Sequence, residues 1–169
     1  LLKKELEKAG RKVELINFAD KLKKICFILT GYYGYTQEEK NLYLEEWGMT
    51  IGEILQELGT KVMRKNFDEN VWVKSTLSNL DLNTYYIIGD CRFENEAEKI
   101  KKMGGVIIRL NGDPLDIRKN SKRDLNHPSE TSLDNYTGFG YIYENSKGIE
   151  GLEDFARKVA SQLMTNLLF

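Results

Sequence analysis

The stretch Tyr85-Tyr-Ile-Ile-Gly-Asp-Cys-Arg-Phe-Glu-Asn-Glu96 limits what this chain can fold into. Tyr85 to Ile88 is a short apolar run of aromatic and β-branched residues, the composition of a buried strand. It stops at Gly89-Asp90 and gives way to a polar cluster. Asn95 and Glu98 have the spacing of a helix-capping pair, with Ala97, Ile100 and Met103 as the apolar positions behind them. Asp90 and Arg92 therefore leave the carboxyl end of a strand just before a helix begins. In open α/β sheets that edge is where ligands bind. An anion bound there would meet Arg92 and the positive end of the helix. A structural ion pair between Asp90 and Arg92 is the competing reading.

The rest of the chain repeats the alternation. Leu1 to Gly10 reads as the later part of an amphipathic helix closed by glycine, and residues before Leu1 are expected in the native protein. Val13 to Phe18 reads as a strand, and Leu22, Ile25, Cys26 and Leu29 follow at helical spacing up to Thr30-Gly31. Asp20 sits at that junction, either as an N-cap or as a ligand contact. Tyr32, Tyr33, Tyr35, Tyr43 and Trp47 are expected to form the core of a small helical insertion, with a base-stacking surface as the alternative. Thr50-Ile-Gly-Glu53 is a capping box, and Ile51, Ile54, Leu55, Leu58 and Val62 form a stripe behind it, predicting a helix over 50–65. Another short helix is expected around Val71-Trp-Val73. After Gly104-Gly105, Val106 to Leu110 reads as a second buried strand and Tyr141 to Tyr143 as a last one. Leu152, Phe155, Ala156, Val159, Leu163 and Leu167 define a C-terminal helix. The order predicts one α/β domain over 1–169 with a mostly parallel sheet.

Between the last two strands the chain turns polar. Arg118, Lys119, Lys122 and Arg123 fall within six residues and lead into Asn126-His-Pro-Ser-Glu-Thr131. A long polar segment inside a compact domain suits a phosphate-gripping lid better than a solvated helix, and a lid is expected over 112–137. Lys plus Arg number 25 against 26 acidic residues, so the balance argues against a protein devoted to nucleic-acid backbones. Cys26 and Cys91 lie in no metal-binding spacing and are expected as reduced thiols in the cytoplasm. His127 is the only histidine, which excludes a His-rich metal site. No apolar run approaches the length of a membrane span, so no membrane partner is expected.

Several of these pieces, taken in series, resemble the deoxynucleoside monophosphate kinases of bacteriophages and related bacterial sequences, which have the P-loop kinase fold. They are Phe18-Ala-Asp-Lys-Leu-Lys23, Leu55-Gln-Glu-Leu-Gly-Thr60 with Arg64, Val71-Trp-Val73, Gly89-Asp-Cys-Arg-Phe-Glu-Asn-Glu96, Arg123-Asp-Leu-Asn-His-Pro-Ser-Glu130 and Tyr141-Ile-Tyr-Glu-Asn145. The Asp-x-Arg-Phe-x-Asn-Glu and His-x-Ser-Glu pieces in order carry most of the specificity. The resemblance implies a three-layer sandwich around the sheet, with a monophosphate-binding insertion over 31–80. It implies transfer of the γ-phosphoryl group of ATP to a deoxynucleoside monophosphate, with Mg²⁺ bridging the phosphates. Such chemistry is positioning and charge neutralisation and needs no covalent nucleophile. By the same resemblance Asp20, Arg64, Trp72 and Arg92 would line the monophosphate pocket, with Arg92 holding the phosphate by its planar fork. Asp90 would orient Mg²⁺ through water, without direct metal ligation. Arg118, Lys122 and Arg123 would close the lid over the phosphates. His127, Ser129 and Glu130 would fix the lid or touch substrate. A homodimer is compatible with the resemblance.

Two features depart from that pattern. Phe139-Gly140 stands where family members often carry an acidic residue after the Phe. No G-x-x-x-x-G-K-[ST] stretch occurs in the 169 residues, and the chain opens inside what would be the helix after that loop. The 169 residues alone are therefore expected to be poorly stable and without useful kinase activity. A non-catalytic nucleotide-binding or regulatory protein is the alternative, and a nucleic-acid module built on the 118–123 patch is a weaker third.

Overall fold

The structure is a computed structural model that describes residues 1–112, 127–145 and 148–165. Its first unit is a parallel strand pair. β1 (Val13–Ile16) lies beside β4 (Tyr85–Ile88), in register from Val13 opposite Tyr85 to Ile16 opposite Ile88. Side chains alternate across such a pair. Tyr85 and Ile87 pack on Leu6, Val13, Ala160 and Met164, which come from β1 itself, helix α1 (Leu2–Lys8) and helix α8 (Gly148–Thr165). Ile88 faces the opposite way, onto a cluster of Phe18, Trp72, Val73 and Leu77.

The two strands deliver Asn17 and Gly89 to the same edge, and one carboxylate ties the loops together there. The Phe18 and Ala19 amides donate to the two oxygens of Asp90 at 2.8 and 2.9 Å. Helix α2 (Asp20–Thr30) leaves this junction and stops at Gly31, whose φ of 80° is the left-handed conformation that ends helices.

The expected insertion holds α3 (Gln37–Asn41), a hairpin of β2 (Tyr43–Leu44) and β3 (Met49–Thr50), and the capped helix α4 (Ile51–Gln56). Its core is Cys26, Ile51, Ile54 and Leu55, not the aromatic residues expected there. Tyr32, Tyr35, Tyr43 and Trp47 are exposed. Of these Tyr35 stacks, 5.0 Å from the half-buried Tyr33, whose ring lies 4.2 Å from Phe27. Small aliphatic side chains filled the space between α2 and α4, and the rings kept their polar ends in water.

The capping box is present: the Glu53 amide donates to Thr50 Oγ1 at 3.2 Å, and Glu53 accepts from the Thr50 amide at 2.7 Å. The helix runs to Lys65 as expected, but from Glu57 to Lys65 it widens to π-helical winding. A wider turn breaks the 3.6-residue stripe. Val62, expected on the buried face, is 40% exposed, and Gly59 and Arg64 turn inward instead. Such π stretches are frequent at functional sites.

Helix α5 (Val71–Leu77) supplies Trp72 and Val73, and α6 (Glu94–Lys102) follows β4. α6 begins earlier than the Asn95–Glu98 pair implies. Its capping carboxylate is Glu96, which accepts the Arg92 and Phe93 amides at 2.9 and 3.1 Å. Asn95 and Glu98 are engaged elsewhere, Glu98 by the Tyr136 hydroxyl at 2.6 Å.

β5 (Ile108–Asn111) starts two residues later than expected and pairs in parallel with β6 (Tyr141–Glu144). Of the apolar run before it, Ile107 is buried, whereas Val106 and Leu110 are exposed. Among the described residues no ladder joins β4 to β5. The chain is thus mixed α/β with two short parallel pairs, where one mostly parallel sheet was expected. No described helix is long and apolar enough to cross a membrane.

Candidate functional site

A cleft of about 190 Å³ opens beside the strand edge that carries Asp90 and Arg92. Phe18, Leu22, Leu55, Trp72 and Phe93 give it apolar walls. Its charged lining is Lys23, Lys40, Arg64 and Arg92 against Asp90, Glu96 and Glu130. Four cations over three carboxylates suit an anionic ligand.

Arg64 is the deepest of these charges, with its side chain 7% exposed. Its Nη1 donates to Glu96 at 3.2 Å and its Nη2 to Asn95 Oδ1 at 2.7 Å. Its guanidinium carbon lies 3.7 Å from the centre of the Phe93 ring. Burial lowers the Arg64 pKa, and Glu96 and Glu69 oppose that shift. Glu96 is pushed above the ordinary carboxylate range by burial, against the pull of the Arg92 amide, Arg64 and the Phe93 amide. A buried, paired arginine of this kind fixes a wall. Asn95 extends the tie by donating to Asn70 Oδ1 at 2.9 Å, which joins α6 to the residue before α5.

Arg92 is built differently. Its side chain is 40% exposed and bonds to the short helix α7 (Pro128–Thr131). Its Nη1 donates to the Ser129 carbonyl at 3.2 Å and to Glu130. The competing reading, an ion pair between Asp90 and Arg92, is not what forms: backbone amides take Asp90 and Glu130 takes Arg92. His127 starts α7: its Nδ1 accepts from the Ser129 amide at 3.2 Å and lies 2.9 Å from the Ser129 hydroxyl. His127 and Ser129 thus shape the turn that presents Glu130 to Arg92.

Trp72 is held by its indole N–H, which donates to the Gly59 carbonyl at 3.0 Å. Gly59 lets this happen: a Cβ there would come within 2.7 Å of Leu22. Asp20 does not line the cleft. The turn before α2 consumes its carboxylate, which accepts the Asn17 amide at 2.9 Å and the Asn17 side-chain amide at 3.1 Å. Arg118, Lys122 and Arg123 lie outside the described residues. Cys91 packs against the Phe18–Trp72 cluster, and burial pushes its thiol up to about 12, far from a nucleophile's value.

The cleft also contains Lys23, Lys40, Gln56, Thr60, Phe93 and Glu96, which were given no site role although all but Lys40 lie inside the quoted motif pieces. Lys23 follows Asp20 by three residues, and Gln56 and Thr60 are four apart on one helix, so helical spacing was the available signal.

A family profile described as deoxynucleotide monophosphate kinase matches residues 3–157. The chain belongs to the deoxynucleotide monophosphate kinase family. A protein of Acanthamoeba polyphaga mimivirus, provisionally named a deoxynucleotide monophosphate kinase, is 31% identical over 153 residues, covering 79% of this chain and 76% of its own. The deoxynucleotide monophosphate kinase of Enterobacteria phage T4 is 31% identical over 94 residues, which are 53% of this chain and 36% of the phage protein.

For this family member the described residues line a cleft with more positive than negative side chains. They hold no group of three His, Cys, Asp or Glu side chains for a metal. Both oxygens of Asp90 accept an amide hydrogen, and each keeps a lone pair for a further contact. The Gly-rich Lys-Ser/Thr loop that cradles donor phosphates is not in the sequence.

Proposed function

We propose that this chain forms the acceptor site and lid of an enzyme that transfers a phosphoryl group from ATP to a deoxynucleoside 5′-monophosphate, giving the diphosphate. The observation that carries the reading is Arg92. It stands at a strand's carboxyl edge, in a cleft with apolar walls and excess positive charge, in a chain of this family. Mg²⁺-bound ATP supplies the γ-phosphoryl group and part of the charge neutralisation. The chain's own part in this reading is to hold the acceptor.

In this reading Arg92 exchanges Glu130 for two oxygens of the acceptor phosphate, which its planar fork suits. Lys23 and Lys40 add positive charge to the same cleft. Trp72 and Phe93, held by Gly59 and Arg64, wall the base. Asp90 holds the loops after β1 and β4 together through the Phe18 and Ala19 amides and would help to hold Mg²⁺ through water. The lid over 112–137, with Arg118, Lys122 and Arg123, closes on the phosphates and excludes water. The fold expected with this activity is one domain, a three-layer sandwich whose insertion spans 31–80, and the cytoplasm is its expected location.

The test is transfer of a labelled γ-phosphoryl group from ATP, with Mg²⁺, to each of the four common deoxynucleoside monophosphates. The protein is to carry its complete reading frame. Labelled diphosphate from at least one acceptor is expected. The second reading is a nucleotide-binding regulator without catalysis. Monophosphate binding with no turnover would select that reading.

A further inference from the structure

We infer that Gln56 and Thr60 read the edge of the acceptor's base and set which base the cleft prefers, an assignment that rests on the monophosphate reading of the cleft. Both residues line the cleft and both are half-buried. The charged side chains around them have protein partners: Arg64 holds Glu96, Arg92 holds Glu130, and Asp90 holds two amides. Gln56 and Thr60 differ. Neither side chain makes a hydrogen bond among the described residues.

An amide carries donors and acceptors, and a hydroxyl carries one donor and two acceptor sites. A ligand that fills this cleft displaces water from both groups. Left unmatched, they would oppose binding by their lost solvation. The ligand must therefore present neutral donors and acceptors to them. A phosphate does not, since its charge is met by guanidinium and ammonium groups. The Watson–Crick edge of a base does, since every base pairs donors with acceptors there.

The local winding supports the placement. Gly59 lies between the two polar groups and fixes the Trp72 indole through its carbonyl. The π-helical stretch therefore fixes, through Gly59, the Trp72 wall that a base would stack on, and it carries Thr60 four residues after Gln56 at the end of α4. Both groups are neutral and rotatable, so they discriminate by hydrogen-bond pattern and not by charge.

The experiment is calorimetry of the full chain with the four common deoxynucleoside 5′-monophosphates and with 2-deoxyribose 5-phosphate, which has the phosphate and no base. Gln56→Leu and Thr60→Val are each expected to weaken the tightest-binding nucleotide about tenfold and to narrow the spread among the four. Affinity for 2-deoxyribose 5-phosphate is expected to stay at the wild-type value. Gln56→Glu keeps the size of the side chain but offers only acceptors, so preference should move toward bases with an exocyclic amino group. Thr60→Ser should keep the wild-type order. These two conservative variants decide the matter if the apolar ones unfold. An unchanged spread in the variants, an unchanged preference in Gln56→Glu, or an equal loss for 2-deoxyribose 5-phosphate would overturn the inference. A wild-type chain that binds none of the nucleotides would overturn the proposed function itself.

Discussion

Arg64 and Arg92 face the same cleft, and each has a glutamate partner, yet they sit in opposite surroundings. The Arg64–Glu96 pair is buried, at 7% and 3% side-chain exposure, and bonded on several sides. The Arg92–Glu130 pair joins a 40% exposed guanidinium to a short helix at the end of the expected lid. Breaking the first leaves a charge stranded in a low-dielectric wall. Breaking the second returns Arg92 to water or to an anionic ligand. Residue type alone would give both arginines one role. Burial separates them into a fixed wall and an exchangeable contact.

The comparison breaks most visibly if the wall proves dispensable. Glu96→Ala removes the partner of Arg64 and the acceptor of the Arg92 and Phe93 amides together. A loss of about 3–5 kcal/mol in unfolding free energy is expected by urea titration. A loss below about 1 kcal/mol would place Glu96 with ordinary surface carboxylates. Trp72→Phe deletes the indole bond to Gly59 and leaves space where part of a buried ring was, so a smaller loss of about 1–3 kcal/mol is expected. Glu130→Gln should tighten monophosphate binding, because the competitor for Arg92 loses its charge. Weaker binding in that variant would mean that Glu130 orients Arg92 instead of competing for it.

The smallest expected effect is a pH term. Burial raises the Glu96 carboxyl above its ordinary value, so the folded chain takes up this proton at higher pH than the unfolded chain. The stability it contributes is full below the unfolded carboxyl value and is lost as pH rises through the folded one. The stability difference between wild type and Glu96→Gln should therefore fall with pH across that window in thermal melts. A difference that rises across the window would mean that Arg64 outweighs burial.

Much of this arrangement was legible in the sequence. The strand edge at Asp90 and Arg92, the capping box at Thr50 and the apolar run at Tyr85 are local patterns with local causes. Family resemblance added Arg64 and Trp72, which the cleft does contain. What escaped depends on distant partners. Asn95 and Glu98 had the right spacing for a cap, but Glu96 could reach the same amides and Arg64 as well. The aromatic residues of 31–49 were read as core by hydrophobicity, although aliphatic side chains already filled that core. The π winding of 57–65 defeated the stripe at Val62, since a period of 3.6 presumes an α-helix. Val106 and Leu110 read as buried by composition, whereas burial depends on which strand lies beside them.

The central claim is that Arg92 grips the acceptor phosphate, and calorimetry on Arg92→Lys tests it most directly. Each protein is titrated with a deoxynucleoside 5′-monophosphate and with the same nucleoside lacking phosphate. The account expects the lysine variant to melt like wild type and to bind the monophosphate at least about tenfold more weakly, because a point charge cannot replace a bidentate fork. Nucleoside affinity should be equal in the two proteins. Equal monophosphate affinity in a folded Arg92→Lys variant would contradict the account.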